Sequence, residues 1–263
     1  MSDDELRAMA HRVMALGPFP WLRHCVDGRQ ETREGIVFVA QDLPGPGFNF
    51  AAVVGPAPEP ERVFALAEAF FAGRAGGYGI LVEADAGHPV EAALRARGWQ
   101  VAEDEPALVL PAIPEIPPLP PGLSIRAALD EPALQDWARI KTVAFGQLEQ
   151  SASANVSSVA YARDPDLGLL LGYEGGRAVA AARRFQVADL AGIGGVAVVP
   201  ECRGRGLGTA ITWAAVQEGA RRGCRGAALR SGPLSFPLYR RMGFVHVCNH
   251  RTYTCFGKVL VKE

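Results

Sequence analysis

Val196-Ala197-Val198-Val199-Pro200-Glu201-Cys202-Arg203-Gly204-Arg205-Gly206-Leu207-Gly208-Thr209 is the stretch that decides the fold of this 263-residue chain. Its apolar run begins at Leu190, too continuous for a strand with one wet face, and Pro200 stops it. From Leu207 to Arg222 the pattern switches to helical spacing, with Leu207, Ala210, Ile211, Ala214 and Ala215 along one face. Arg221 and Arg222 stand in the last turn, where the helix dipole favours cations, and Gly223 supplies the stop. The expectation is a buried strand that passes through a Gly/Arg turn into a helix.

Such a turn has a chemistry. A helix start offers unpaired N–H donors and about half a positive charge, which suits an anion. Glycine at 204, 206 and 208 removes the Cβ atoms that would hold a phosphate off those amides, and Arg203 and Arg205 can add guanidinium contacts. A pyrophosphate fits this description. No Lys-Ser or Lys-Thr follows the glycines, which disfavours an ATP-type phosphate loop. A dinucleotide fingerprint begun at Gly204 or Gly206 places Thr209 or Ile211 at its third small position, and Cys224–Arg230 has no acid for a ribose. The bland alternative is an ordinary glycine-rich turn with its arginines in solvent.

Outward from this stretch, Leu123–Ala127 reads as a strand. Glu131–Phe145 and Ser153–Arg163 read as helices, the first capped by Asp130 with Pro132 in its first turn. Leu167–Glu174 and Arg177–Val187, joined by Gly175-Gly176, read as a hairpin. Gly226–Arg230, a helix opening at Pro233, and a strand over Phe244–Thr254 close the set. Upstream, six prolines between Pro111 and Gly122 mark a linker. The expected division is a domain over 1–110, the linker 111–122 and a domain over 123–263.

A repeat links the two halves. Gly79-Ile80-Leu81-Val82-Glu83, a helical stretch and Gly98-Trp99 parallel Gly226-Ala227-Ala228-Leu229-Arg230, a helical stretch and Gly243-Phe244. The first half has no small-residue turn after its matching strand Phe48–Gly55. It carries instead Pro56, Glu59 and Glu61, whose carboxylates repel phosphate, and Leu94 stands where the second half has Tyr239. The first copy is expected to be catalytically empty. Bracing the second copy, shaping an acceptor pocket and self-association as a homodimer are its candidate roles.

Composition sets the remaining bounds. Apolar residues at 49% and charged ones at 21% are ordinary for a globular chain, and 27 basic against 28 acidic residues give no general attraction to nucleic acid. No apolar run approaches the roughly 20 residues of a membrane-spanning helix. The start Met1-Ser2-Asp3-Asp4-Glu5 is acidic where a signal peptide is basic, so a cytoplasmic protein is expected. Five scattered cysteines without a C-x-x-C pair suggest reduced thiols and no metal site.

The central stretch resembles the acetyl-CoA loop of the GCN5-related N-acetyltransferases (GNAT), a pattern of [Gln/Arg]-x-x-Gly-x-[Gly/Ala] after a strand that ends near a proline. Here it stands as Arg203-Gly204-Arg205-Gly206-Leu207-Gly208, and the resemblance covers about 123–254, including Tyr239-Arg240-Arg241-Met242-Gly243-Phe244. It implies an α/β fold of two GNAT-like domains, the first degenerate, each with a mixed, mostly antiparallel sheet flanked by helices. It also implies acetyl-CoA as co-substrate, its pyrophosphate on the amides of Arg203, Gly204, Arg205, Gly206, Leu207, Gly208 and Thr209. The main chain of Val196-Ala197-Val198 would pair with pantetheine and polarise the thioester carbonyl. A primary amine, small or on a peptide, would attack directly in a ternary complex. A non-catalytic acyl-CoA sensor or assembly module is the alternative.

Other site residues are less defined. Tyr239 matches the tyrosine that in this family protonates the departing thiolate; as a plain residue it is equally a packed aromatic. Ser231 either touches the cofactor or starts a helix. Glu149, Asp189 and Glu174 are candidate bases that read more simply as surface charges, and His246 and His250 read as structural strand histidines.

Overall fold

The computed structural model describes residues 1–41, 45, 47–54, 58–74, 77–84, 89–146 and 158–255. The first half contains α1 (Asp3–Leu16), α2 (Phe19–Leu22), β1 (Arg29–Arg33), β2 (Ile36–Ala40), β3 (Phe50–Val53), α3 (Pro60–Phe71), β4 (Gly79–Glu83), α4 (Pro89–Ala96) and β5 (Gln100–Leu110). The second half contains β6 (Leu123–Ala127), α5 (Glu131–Phe145), α6 (Val159–Ala162), β7 (Leu167–Glu174), β8 (Arg177–Val187), β9 (Leu190–Val198), α7 (Leu207–Arg221), β10 (Gly226–Arg230), α8 (Phe236–Arg241) and β11 (Val245–Thr254).

Caps fix several ends. Ser2 and Glu5 form a reciprocal capping box on α1: the Glu5 amide donates to Ser2 Oγ at 3.2 Å, and the Ser2 amide to Glu5 Oε2 at 2.7 Å. The Ala133 amide donates to Asp130 Oδ1 at 3.0 Å, and left-handed Gly146 closes α5. The expected bounds of α5, the hairpin and α7 agree with the structure to within a residue. Residues 153–157 of the second expected helix lie outside the described residues; among the described ones, Val159–Ala162 is helical.

Two compact units result. The first comprises Ser2–Leu108, Arg230–Phe236 and the chain from His246; the second comprises Val109–Leu229 and Pro237–Val245. The expected single cut at 111–122 therefore differs from the compact units. The reason is strand pairing: β11 runs antiparallel to β4 from His250↔Glu83 to Thr254↔Gly79, and Tyr253 is buried in that unit's core. The partner of a strand cannot be read from its own sequence.

In the first unit, β1-β2-β3 are antiparallel and β4 lies parallel to β3. Alternation with period two gives the sheet two apolar faces. Ile36, Phe38, Ala51, Ile80 and Val82 pack with Val63, Phe64, Phe71 and Leu94, whereas Val37, Val39, Phe50 and Leu81 pack with Ala15 and Leu22. In the second unit, β6-β7-β8-β9 are antiparallel and β10 lies parallel to β9. Both units thus share one order: antiparallel strands, a crossover helix, then a parallel strand.

The helix-to-glycine repeat also holds at the level of single bonds. The Trp99 amide donates to the Leu94 carbonyl at 3.0 Å, and the Phe244 amide to the Tyr239 carbonyl at 3.1 Å, with Gly98 and Gly243 both at positive φ. Leu94 and Tyr239 are therefore geometrically equivalent. One boundary moves: the helix expected from Pro233 begins at Phe236, because the Ser235 and Phe236 amides first turn onto the Gly232 carbonyl. Among the described residues, no helix is long and apolar enough to cross a membrane.

The helix that follows the Gly/Arg turn rests directly on the sheet. A Cβ built at Gly219 of α7 would stand 2.6 Å from the Ala191 Cβ of β9, closer than packed carbons approach. We expect Gly219→Val to lower stability by about 1–3 kcal/mol, read as a lower urea midpoint at constant m. An unchanged midpoint would mean that α7 does not pack at this distance.

Candidate active site

The site is built where β9 ends. The Val199 amide closes the strand on the Val179 carbonyl at 3.0 Å, and Pro200–Cys202 makes one 3-10 turn. Gly204 and Gly206 then adopt φ of +76° and +79°, a conformation that side chains resist, and a Cβ at either would meet only open space. Gly206 is the N-cap of α7 and supplies no side-chain cap. The first bond of the helix runs from the Ala210 amide to the Gly206 carbonyl at 3.0 Å, so the amides of Leu207, Gly208 and Thr209 come before the helical ladder. Leu207 anchors the turn by burying its side chain.

The two arginines behave differently from expectation. Arg203 turns back: its Nε donates to the Val198 carbonyl at 3.2 Å and its Nη2 to Ala144, in the last turn of α5, at 3.0 Å. Arg205 pairs with Glu174 at 2.9 Å. Their side chains brace the turn on protein acceptors. The anion-binding capacity of this geometry lies in the main chain and the helix dipole, and it rests less on guanidinium contacts than the sequence suggested.

Upstream of the turn, β9 carries a bulge. Ala181 pairs with Ala197 and Arg183 with Gly194, so Gly195 and Val196 together face Ala182 alone. Gly195 has φ of +60°. On the other edge, the parallel pairing with β10 ends at Ala228↔Gly192. From Ile193 onward the strand leaves its parallel neighbour. Val196 and Val198 are half-buried and Ala197 is buried.

Facing the bulge is a group that sequence reasoning missed. Lys141 of α5 is buried, and its Nζ lies 3.0 Å from where a Cβ on Gly195 would stand. The ammonium position lies 3.9 Å from the Phe145 ring centroid and 5.5 Å from that of Trp137. Burial, with the Arg183 guanidinium also opposing charge, pushes Lys141 down to about 7. A signal was present in the sequence: Leu134, Trp137, Ala138 and Lys141 share one helical face, which sets a lysine on an apolar stripe.

Tyr239 of α8 is 5% exposed and packs edge-on against Phe244. Burial pushes its phenol up to about 12, opposed by a hydrogen bond with the Thr212 side chain. Thr212 Oγ1 in turn donates to the Gly208 carbonyl at 2.7 Å, tying Tyr239 to the first turn of α7. Beside the start of α7 opens a cleft of about 740 Å³, lined by Gly206, Thr209 and Trp213 and by Pro117–Pro120.

Other candidates lie elsewhere. Glu174 is held by Arg205, and Asp189 pairs with Arg225. Glu149 lies outside the described residues. Ser231 belongs to the first unit, where its hydroxyl is 2.8 Å from Ser235 Oγ and donates to the Gly232 carbonyl at 2.9 Å. It neither starts a helix nor stands in the unit that carries the Gly/Arg turn. His246 and His250 also belong to the first unit.

Residues 132–244 match the model of the Acetyltransferase (GNAT) family. No curated protein matches the chain. A GCN5-related N-acetyltransferase from Kribbella flavida has a similar fold: 19% identity, TM-score 0.73, covering 95% of this chain and 96% of that one. Another from Sphaerobacter thermophilus has 18% identity and TM-score 0.57, covering 95% and 93%. A tandem GNAT protein from the clavulanic acid biosynthesis pathway has 15% identity and TM-score 0.59, covering 97% and 95%.

A lysine that is half-neutral near pH 7 is directly observable. We expect the Lys141 side-chain carbon shifts to titrate with a midpoint of about 7, against about 10.4 for an exposed lysine. A midpoint near 10 would show that Lys141 is hydrated and charged.

Proposed function

We propose that the second unit transfers the acetyl group of acetyl-CoA to a primary amine by direct attack, and that the first unit is a degenerate copy without a cofactor site. The observation that carries this reading is the uncapped start of α7 behind Gly204 and Gly206, beside a strand that has left its parallel neighbour. Amides in that turn are donors for a diphosphate, and the freed edge of β9 supplies main-chain partners for the pantetheine arm. In the first unit, the helix after β3 is preceded by Glu59 and carries Glu61 in its first turn, which disfavours an anion there.

The reaction follows from this placement. The turn fixes one end of the cofactor and the bulge presents main-chain N–H to the thioester carbonyl, so that positioning and polarisation supply most of the acceleration. Lys141, largely neutral above pH 7, accepts a proton from the amine as its nitrogen bonds to the acyl carbon. The C–S bond breaks, and the thiolate takes a proton from Tyr239, which is fully protonated in this range. No covalent enzyme intermediate forms. The acceptor is a primary amine, small or on a peptide.

Two experiments test the reading. Gly206→Val forces a β-branched residue into a left-handed conformation, at a cost of about 1–3 kcal/mol. It also withdraws amide bonds to a charged group, worth about 1.5–3 kcal/mol each. Calorimetric CoA affinity should fall at least about a hundredfold, and unchanged affinity would remove the cofactor assignment. In a CoA-release assay over a panel of primary amines, the wild-type rate should rise with pH through an inflection at about 7. Lys141→Met should abolish that inflection while sparing CoA affinity, and Tyr239→Phe should lower turnover with affinity intact. A panel with no release at any pH would favour a CoA-binding sensor.

A further inference from the structure

The first unit holds a cluster that the acyl-transfer reading does not use. His11 on α1 and Cys248 and His250 on β11 bring three ligand-type atoms within 4.8 Å of one another. Cys248 Sγ is 3.8 Å from His11 Nε2 and 3.7 Å from His250 Nε2. Glu83, at the end of β4, stands beside His11: its Oε2 is 3.0 Å from His11 Nε2.

The fold places all four on one face. Cys248 and His250 are two apart in a strand and so project to the same side. His250 pairs directly with Glu83 across the antiparallel ladder, so these side chains are cross-strand neighbours. Arg7 and His11, four apart on α1, both reach Glu83; Arg7 engages Oε1 and leaves Oε2 toward His11. Cys248 and His250 are buried, and the side chains of His11 and Glu83 are only 13% and 12% exposed.

The hydrogen bonding of this cluster does not close by itself. His11 bonds the Val54 carbonyl, an acceptor that takes its N–H, while its Nε2 faces the Glu83 carboxylate, another acceptor. His250 Nδ1 is fully buried with no hydrogen-bond partner, and its Nε2 faces the Cys248 sulfur.

We propose that His11, Glu83, Cys248 and His250 bind a divalent zinc ion that ties α1 to β4 and β11. Bond lengths of about 2.0–2.1 Å to nitrogen and 2.3 Å to sulfur at tetrahedral angles put nitrogen and sulfur about 3.6 Å apart, near the spacing found here. One thiolate and one carboxylate neutralise the ion's double charge, and the Cys248 proton leaves to solvent on binding. Sulfur with two imidazoles selects a borderline metal over magnesium or calcium. Arg7 on Glu83 Oε1 and the Val54 carbonyl on His11 orient two ligands from behind. Four protein ligands leave no open position, so the role is structural.

The test uses the full chain, freed of metal by a chelator and titrated with Co²⁺. One equivalent should bind, with tetrahedral visible bands and a thiolate-to-cobalt charge-transfer band in the near ultraviolet. Zn²⁺ should displace it and raise the thermal midpoint. The charge-transfer band should vanish in Cys248→Ser and persist in Cys255→Ser, and His250→Gln should weaken Zn²⁺ at least tenfold. Absence of the charge-transfer band in the wild-type chain overturns the proposal whatever the variants do, and so does its survival in Cys248→Ser. Neither readout depends on acetyl transfer, so a failure of the catalytic reading leaves this one standing.

Discussion

The geometry of the second unit depends on backbone amides that no side chain claims. A helix start normally recruits serine, threonine, aspartate or asparagine to satisfy its first N–H groups. α1 does so through Ser2, and α5 through Asp130. α7 does not: its N-cap is a left-handed glycine, and the arginines around it spend their guanidinium groups on Val198, Ala144 and Glu174. With glycine at the N-cap, forgoing a side-chain cap costs only about a few tenths of a kcal/mol. It leaves a positive end of fixed shape facing solvent, already braced on both sides, which is the condition for holding an anion without reorganisation.

The rest of the site is arranged around that end. α7 rests on β9 at both ends: a Cβ at Gly219 would meet Ala191, and one at Gly208 would lie 3.8 Å from Val198. The bulge at Gly195 and Val196 breaks the ladder to β8 at the stretch where β9 has already left β10, so main-chain groups become available over a short length of strand. Burial of the Lys141 side chain then depresses its basicity enough for a neutral amine to stand beside the bulge.

Much of this was legible in the sequence because it is local. The strand, proline, glycine turn and helix follow one another without interruption, and the Asp130 cap and Gly175-Gly176 turn set their own boundaries. The correspondence of Leu94 with Tyr239 was visible as spacing and is realised as the same amide-to-carbonyl bond in each unit. What could not be read were choices among partners distant in the chain. The side chains of Arg203 and Arg205 could have met phosphate as well as protein acceptors. The pairing of β11 with β4 moved the chain from His246 into the first unit. That pairing also assembles His11 with Cys248, which lie 237 positions apart and carry no joint signal. Lys141 is the intermediate case, since its helical face was legible but the bulge it meets was not.

The most direct measurement of the central claim is a crystal structure of the chain grown with saturating acetyl-CoA. The account predicts diphosphate oxygens within about 2.7–3.2 Å of amides between Gly204 and Thr209, with the thioester carbonyl at the bulge beside Lys141. A cofactor bound away from this turn, or a turn left empty at saturation, would contradict it.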